Sequence, residues 1–267
     1  MTRILHLSDL HFGRDRPELE DPLVGIVNDL SPDLVVISGD FTQRARRRQF
    51  ARARAFLDRL EPATLSVPGN HDTPLDNIYL RMVRPFHRYK RAIDRNLEPR
   101  LETSRMVVAG VNTVNRFSWQ RGRLSRRTVR HIRHAFAEAG DRLRVVVLHH
   151  PLEHGPEVDK RLMRGAGSAL VAMREGGADV VLSGHLHNTV TMPFSVAPGC
   201  LFVQAGTGLS NRHRGEPNTF NLLSATRSRI VIDTFGAGDS ATFARHATAT
   251  FERGPDDEWT ISERETA

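Results

Sequence analysis

Five short apolar runs in this chain each stop at a turn carrying Asp, Asn or His, and that recurrence restricts the fold more than any other feature. Residues 4–7 run into Asp9 and His11, residues 34–38 into Gly39-Asp40, and residues 64–67 into Gly69-Asn70-His71-Asp72. Residues 144–148 run into His149-His150-Pro151, and residues 179–182 into Gly184-His185-Leu186-His187. Runs this short and rich in Val, Ile and Leu read as strands buried on both faces. Stretches of helical period at 22–30 and 46–60 separate the first three, giving a β-α-β-α-β rhythm over the first seventy residues. That rhythm predicts right-handed crossovers and a largely parallel sheet. In open α/β sheets ligands collect beyond the carboxyl ends of strands, where all five clusters fall.

Residues 76–100 read as helical and strongly charged, 106–111 as a strand, 125–139 as a helix and 167–175 as a helix. Beyond residue 200 the period changes, and 201–204, 219–224, 229–235 and 242–251 read as consecutive antiparallel strands. The last dozen residues, opening on Gly254-Pro255-Asp256-Asp257-Glu258, read as a frayed tail. The expected organisation is therefore a single domain over 1–255 followed by a tail at 256–267. A chain of 267 residues can bury a core without disulfides, and Cys200 has no partner for one. The N-terminal apolar run is too short for a signal peptide and no stretch is long enough to span a bilayer, so the sequence reads as cytoplasmic.

The formal charge is +7, carried almost wholly by arginine. Between Arg44 and Arg59 the arginines alternate at helical spacing with Phe50, Ala53, Phe56, Leu57 and Leu60. This describes an amphipathic helix with a basic, solvated face. Contact with nucleic acid through that face is the alternative.

Taken singly, each cluster has an ordinary explanation. Asp9 and Asp40 suit turns or helix N-caps, Asn70 after Gly69 is common turn chemistry, and a single buried His149 more often completes a core hydrogen bond than binds metal. Their concurrence after five strands favours one metal site. Oxygen and imidazole donors without thiolate suit Mn, Fe or Zn. The i, i+2 spacing in Asp9-Leu10-His11 and His185-Leu186-His187, on extended backbone, would send both donors to one side. Asp9, His11, Asp40, Asn70, His149, His185 and His187 are too many donors for one tetrahedral ion and suit two ions sharing a carboxylate.

The ordered set Asp-x-His, Gly-Asp, Gly-Asn-His-Asp, His-His-Pro and Gly-His-x-His resembles the calcineurin-like metallophosphoesterases. Gly39 to Gln43 and the ending Gly184 to His187 are most similar to bacterial cyclic-nucleotide (class III) phosphodiesterases. The resemblance implies an α/β fold, a four-layer α-β-β-α sandwich of two mixed sheets. It implies one metal held by Asp9, His11, Asp40 and His187, and a second held by Asp40, Asn70, His149 and His185. It further implies hydrolysis of a small phosphodiester, such as a 3′,5′-cyclic nucleotide, by a hydroxide bridging the two ions. His71 would protonate the leaving oxygen, with Asp72 as its hydrogen-bond partner; Asn70, His71, Arg44 and His150 would meet substrate, the alternative for His150 being a place behind the metal ligands or in the pocket wall. Where related phosphatases carry a second aspartate, this chain has Gln43. A nuclease of the same superfamily, a metal-free scaffold and a homodimer are the remaining alternatives. Specificity is expected from the segment between His71 and Val107, from 115–130 with Trp119, and from 153–167.

Overall fold

A computed structural model describes residues 1–154, 162–212, 215–238 and 241–266, so part of the 153–167 segment, residues 155–161, lies outside the described residues. The first quarter of the chain forms Thr2–Leu7 (β1), Glu20–Leu30 (α1), Leu34–Ile37 (β2), Arg47–Leu57 (α2) and Thr64–Ser66 (β3). Ile78–Val83 (α3), His87–Ala92 (α4), Arg100–Glu102 (β4), Met106–Gly110 (β5) and Arg126–Phe136 (α5) follow. Leu143–Val147 (β6), Ala166–Glu175 (α6), Val180–Ser183 (β7), Val190–Phe194 (β8) and Ala197–Gln204 (β9) come next. The chain closes with Asn218–Ala225 (β10), Arg229–Ala237 (β11), Phe243–Arg253 (β12) and Trp259–Thr266 (β13).

The strands make two mixed sheets, one ordered β13-β12-β11-β10-β1-β2-β3 and the other β4-β5-β6-β7-β9-β8. β1, β2 and β3 are parallel, as are β5, β6, β7 and β9. Alternation along each strand assigns its side chains to layers. Ile4, Val36, Val145, Leu182 and Leu223 face inward and fill the space between the sheets. Leu5, Leu7, Val35 and Ile37 face the other way, against Leu23, Val27, Phe50 and Phe56 of α1 and α2. Val146 and Val181 meet Ile132 and Leu170 of α5 and α6 on the opposite outer face. The result is the expected α-β-β-α sandwich. Burial on both faces explains why these strands read as continuous apolar runs. Among the described residues, no helix is long and apolar enough to cross a membrane.

Several local expectations change. The charged segment 76–100 does not form one helix: Pro85 disfavours α geometry at Arg84, so α3 stops at Val83 and α4 begins at His87. β9 is not the start of the antiparallel series. It pairs in parallel with β7 in the second sheet, and β10 to β13 alone form the antiparallel meander. β8, unanticipated, contains Pro193 and lies at a sheet edge, where a missing N–H is tolerated.

The frayed tail is the largest correction. Trp259–Thr266 is a strand paired with β12, and Trp259 is only 2% exposed. Its indole N–H donates to the carbonyl of Asp179 at 3.2 Å, and the Arg253 guanidinium sits 4.5 Å from its ring centre. The Gly-Pro-Asp-Asp sequence marks a turn between two strands rather than an end of order. Trp259→Ala is expected to lower unfolding free energy by about 3–5 kcal/mol, the usual cost of truncating a buried Trp. Urea denaturation measures it; a loss below about 1 kcal/mol would restore the tail reading.

Candidate metal centre

The site forms where the carboxyl ends of β1, β2 and β3 meet those of β6 and β7. Asp9 and His11 follow β1, Asp40 follows β2, Asn70 opens a short 3-10 turn after β3, His149 follows β6, and His185 and His187 follow β7. Asp9, His11, Asp40, His185 and His187 all adopt positive φ, between 49° and 76°. The extended geometry expected for the two i, i+2 pairs is therefore absent. A left-handed residue other than glycine costs about 1–2 kcal/mol, and such strain persists where the surroundings hold it. The intervening Leu10 and Leu186 are buried, as expected. His185 and His187, however, do not converge: His187 groups with Asp9 and His11, and His185 with His149 and His150, the ligand atoms of each group lying within 4.8 Å.

Hydrogen bonds aim these donors. Asp9 Oδ2 accepts from the Ser8 hydroxyl at 2.6 Å and the His185 N–H at 2.9 Å. Its Oδ1 is buried without a conventional hydrogen bond and faces His11 Nε2 at 3.4 Å and His187 Nε2 at 3.2 Å. Asp40 Oδ1 accepts from the His71 N–H at 2.8 Å, leaving Oδ2 3.7 Å from His11 Nε2 and 3.3 Å from His149 Nε2. His149 Nδ1 donates to the Ser38 carbonyl at 2.8 Å and His187 Nδ1 to the Arg212 carbonyl at 3.0 Å. Those bonds fix both tautomers and present Nε2 to the centre. Asn70 Nδ2 donates to the Trp119 carbonyl at 3.2 Å, turning Oδ1 to within 3.1 Å of His149 Nε2.

The electrostatics keep two carboxylates charged in the core. Burial raises the proton affinity of Asp9 and Asp40, yet the imidazoles around them more than offset it, holding both carboxyls well below their usual range. Burial pushes His149 down, but Asp40, its hydrogen bond and Asp9 carry it up to about 9. In His11 burial prevails over the same two carboxylates and lowers the imidazole. Imidazole nitrogens of His11, His149 and His187 thus face buried carboxylate oxygens at 3.2–3.4 Å. A divalent ion satisfies that arrangement, and this donor set fits one.

Backbone proximity makes two glycines obligatory. A Cβ at Gly69 would strike the Asp40 carboxylate, and one at Gly184 would strike the Ser8 hydroxyl and Asp9 Oδ2.

Other predicted residues lie differently. His71 stands beside His11, ring centres 4.9 Å apart, and its Nδ1 donates to the Gln43 carbonyl at 2.9 Å. Asp72 is not its partner. The Asp72 carboxylate accepts from the N–H groups of Phe41, Thr42 and Gly69, stapling the turns after β2 and β3. Burial and the nearby Asp40 push that carboxyl up to about 7. His150 is buried behind His149 and His185, bonded to Thr113 at 2.8 Å, and is not in the cleft wall. Arg44 is in that wall. A cleft of about 230 Å³ opens beside the centre, lined by Arg44, His71, Trp119, Gln120 and Arg212.

Residues 2–189 match the family described as calcineurin-like phosphoesterase. This chain belongs to that family. The glycerophosphodiester phosphodiesterase GpdQ of Enterobacter lignolyticus (strain SCF1) is 27% identical over 201 residues, 69% of this chain and 70% of the relative. A purple acid phosphatase, PPD1, from yellow lupin (Lupinus luteus) seeds superposes with a TM-score of 0.72 at 13% identity. That match covers 96% of this chain, which spans about half (54%) of the lupin chain. A dimetal phosphatase from Danio rerio gives a TM-score of 0.64 at 14% identity, covering 88% of this chain and 96% of its own. These neighbours share the fold. As a calcineurin-like phosphoesterase the chain is a metal-dependent phosphoester hydrolase, of a family whose members use two metals.

Sequence reading missed two residues around this phosphoesterase centre. Arg212 follows the irregular stretch after β9, where no periodicity draws notice; its carbonyl orients His187. Arg81 is hidden among the many arginines of α3 and α4, yet it is 1% exposed. Its Nε donates to the Arg116 carbonyl at 2.8 Å and its Nη1 to the Thr73 hydroxyl at 2.6 Å and the Pro74 carbonyl at 3.3 Å. Its Nη2 reaches the carbonyls of Asn115 and Ser118. One guanidinium thus ties the turn bearing Asn70 to the segment whose Trp119 carbonyl holds the Asn70 amide.

Two outcomes follow from this geometry. Gly184→Ala should leave a folded protein with reduced metal content by elemental analysis; full occupancy would show that Asp9 tolerates displacement. Arg81→Met, which keeps the bulk and removes the donors, should raise KM and cut kcat/KM about 10–100-fold, the usual scale for losing support behind a metal ligand. Arg81→Lys should not restore it, because a single ammonium cannot span both segments.

Proposed function

We propose that this chain hydrolyses a small phosphodiester over two divalent ions, one held by Asp9, His11, Asp40 and His187, the other by Asp40, Asn70, His149 and His185. The reading is carried by Asp40, whose single free oxygen addresses His11 and His149 together, as a shared ligand must. Mn, Fe and Zn fit these donors. When bound, such a pair supplies Lewis acidity and acidifies water for in-line displacement at phosphorus.

The protein's own groups supply the remainder. The Gln43 carbonyl keeps the proton of His71 on Nδ1 and leaves Nε2 for the substrate. As imidazolium, His71 gives its Nε2 proton to the departing oxygen. Gln43 thus orients His71 through its main chain, in place of the aspartate side chain of related phosphatases. Asp72 acts at one remove, as a positioning residue that holds the turns bearing Asp40 and Asn70 in register. Arg44 and Arg212 border the cleft and suit the anionic oxygens of a phosphodiester.

Within diesters we infer a 3′,5′-cyclic nucleotide. The Trp119 indole, 55% exposed at the cleft, offers an apolar plane for a base. A glycerophosphodiester is the second reading, motivated by the name of the GpdQ relative. The nuclease reading loses part of its support, because several arginines of the basic stretch are engaged: Arg52 pairs with Asp15 and Glu20, Arg54 with Asp58, and Arg59 with Glu20 and Asp21.

The test is turnover of the Mn²⁺-loaded chain on bis-(p-nitrophenyl) phosphate, the matching monoester, cyclic AMP, glycerophosphoethanolamine and single-stranded DNA. Diesters should exceed the monoester, and cyclic AMP should exceed DNA; faster monoester or DNA turnover rejects the reading. Asp40→Ala should abolish turnover and lower metal content. His71→Ala should retain metal and slow hydrolysis most for poor leaving groups, whereas equal slowing for all esters would deny it the acid role.

A further inference from the structure

The metal centre uses neither the basic stretch on α2 nor, Arg81 apart, the charged segment 76–100, and the fold brings those two together. α2, α3 and α4 enclose a groove of about 560 Å³, more than twice the volume of the cleft beside the centre. Pockets for small organic ligands commonly run from about 300 to 1,000 Å³. Its floor is apolar, with Phe50 from α2 and Leu80 from α3, and Pro74 lines it as well. Its rim is arginine: Arg47 and Arg54 from α2, Arg84 between the short helices, Arg88 and Arg91 from α4. No Asp or Glu lines it among the described residues.

These arginines differ in their partners. Arg54 is bound to Asp58, and Arg88 donates to the Ala45 carbonyl at 2.7 Å. The side chains of Arg47, Arg84 and Arg91 make no ion pair or hydrogen bond among the described residues. Elsewhere Arg52, Arg59, Arg142 and Arg253 each meet a carboxylate. An anion seated among guanidinium groups that line one apolar hollow gains charge-assisted, bidentate hydrogen bonds.

We propose that this groove is a binding site, separate from the metal centre, for a phosphate-bearing small molecule with a flat apolar body of about mononucleotide size. The body lies on Phe50 and Leu80 and the phosphate meets Arg84 and Arg91 from one wall and Arg47 from the other. The site adjoins the catalytic cleft through one segment. Pro74 lines the groove and gives its carbonyl to Arg81, while the next residue, Leu75, lines the cleft. The site stands whichever ester the metal centre hydrolyses.

The experiment is calorimetric titration of the metal-loaded full chain with 1-naphthalenesulfonate, an anion on an apolar plane that is not hydrolysed and binds metals poorly. Saturable one-to-one binding is expected, with 2-naphthol at least tenfold weaker and AMP displacing the sulfonate competitively. Arg84→Ser/Arg91→Ser should weaken binding at least tenfold while turnover of bis-(p-nitrophenyl) phosphate without sulfonate stays within twofold. Arg47→Ser, on the opposite wall, should weaken it at least threefold and serves if the double variant does not fold. Asp40→Asn should bind as wild type. Unchanged affinity in the rim variants, loss of binding in Asp40→Asn, or failure of AMP to compete would each overturn the proposal. So would rim-dependent binding to phosphatidylglycerol vesicles in the absence of any binding of the soluble sulfonate, which would make the groove a membrane contact.

Discussion

Two carboxylates, Asp9 and Asp40, lie fully buried within reach of the same histidine, His11. An isolated ionised carboxylate in such surroundings would take up a proton instead. Both remain in their charged form because N–H and O–H donors hold one oxygen of each and imidazoles crowd the other. The rest of the architecture serves that arrangement. Backbone donors are delivered by turns at glycine, where no Cβ intervenes, and the imidazoles other than His11 arrive from the facing sheet. Neither sheet alone assembles a complete donor set. β1, β2 and β3 contribute Asp9, His11, Asp40 and Asn70, whereas β6 and β7 contribute His149, His185 and His187. Packing of the apolar layer between the sheets is therefore what brings the centre together.

The left-handed turns are the local expression of the same requirement. A donor on extended backbone after a strand would continue the strand's alternation, and Asp9 and His11 would lie side by side at the sheet edge. At positive φ the chain folds back over the strand end, so that the amide of Asp9 bonds the Gly39 carbonyl and that of His11 the Asp40 carbonyl. Those bonds lock the first two turns together before any ion binds. They also show how strain of about 1–2 kcal/mol at each of several residues is sustained. Asp72 adds to this lock with bonds from both turns, a role that its place beside His71 in the sequence does not suggest.

Much of this was legible in the chain itself, for identifiable reasons. Strands buried on both faces leave an unmistakable apolar run, and each donor cluster follows such a run directly. The two-sheet sandwich followed from those runs together with the family resemblance. What escaped depends on contacts distant in sequence or on backbone angle. The period of Asp9-Leu10-His11 cannot disclose a positive φ: its two donors do meet, but on left-handed rather than extended backbone, whereas those of His185 and His187 part. Trp259 looked like part of a tail because Gly, Pro and Asp precede it; its pairing with β12 and its bond to Asp179 lie outside any local window. Arg212 and Arg81 carry no motif, since one acts through its main-chain carbonyl and the other is one arginine among many.

Arg81 also shows why a buried charge near a metal centre takes the partners it does. A guanidinium removed from water ordinarily recruits a carboxylate. Burial lowers the proton affinity of Arg81, and no Asp or Glu stands among its bonded partners. A carboxylate beside Thr73 would lie close to the Asn70 turn and would compete as a further hard anionic donor for the ions. Carbonyl dipoles and a hydroxyl satisfy the five N–H groups of the guanidinium without introducing such a donor. They belong to two segments that otherwise have few reasons to meet. The positive charge is thereby kept near a cleft meant for an anion, while the neutral amide of Asn70, rather than a second acid, completes its end of the centre.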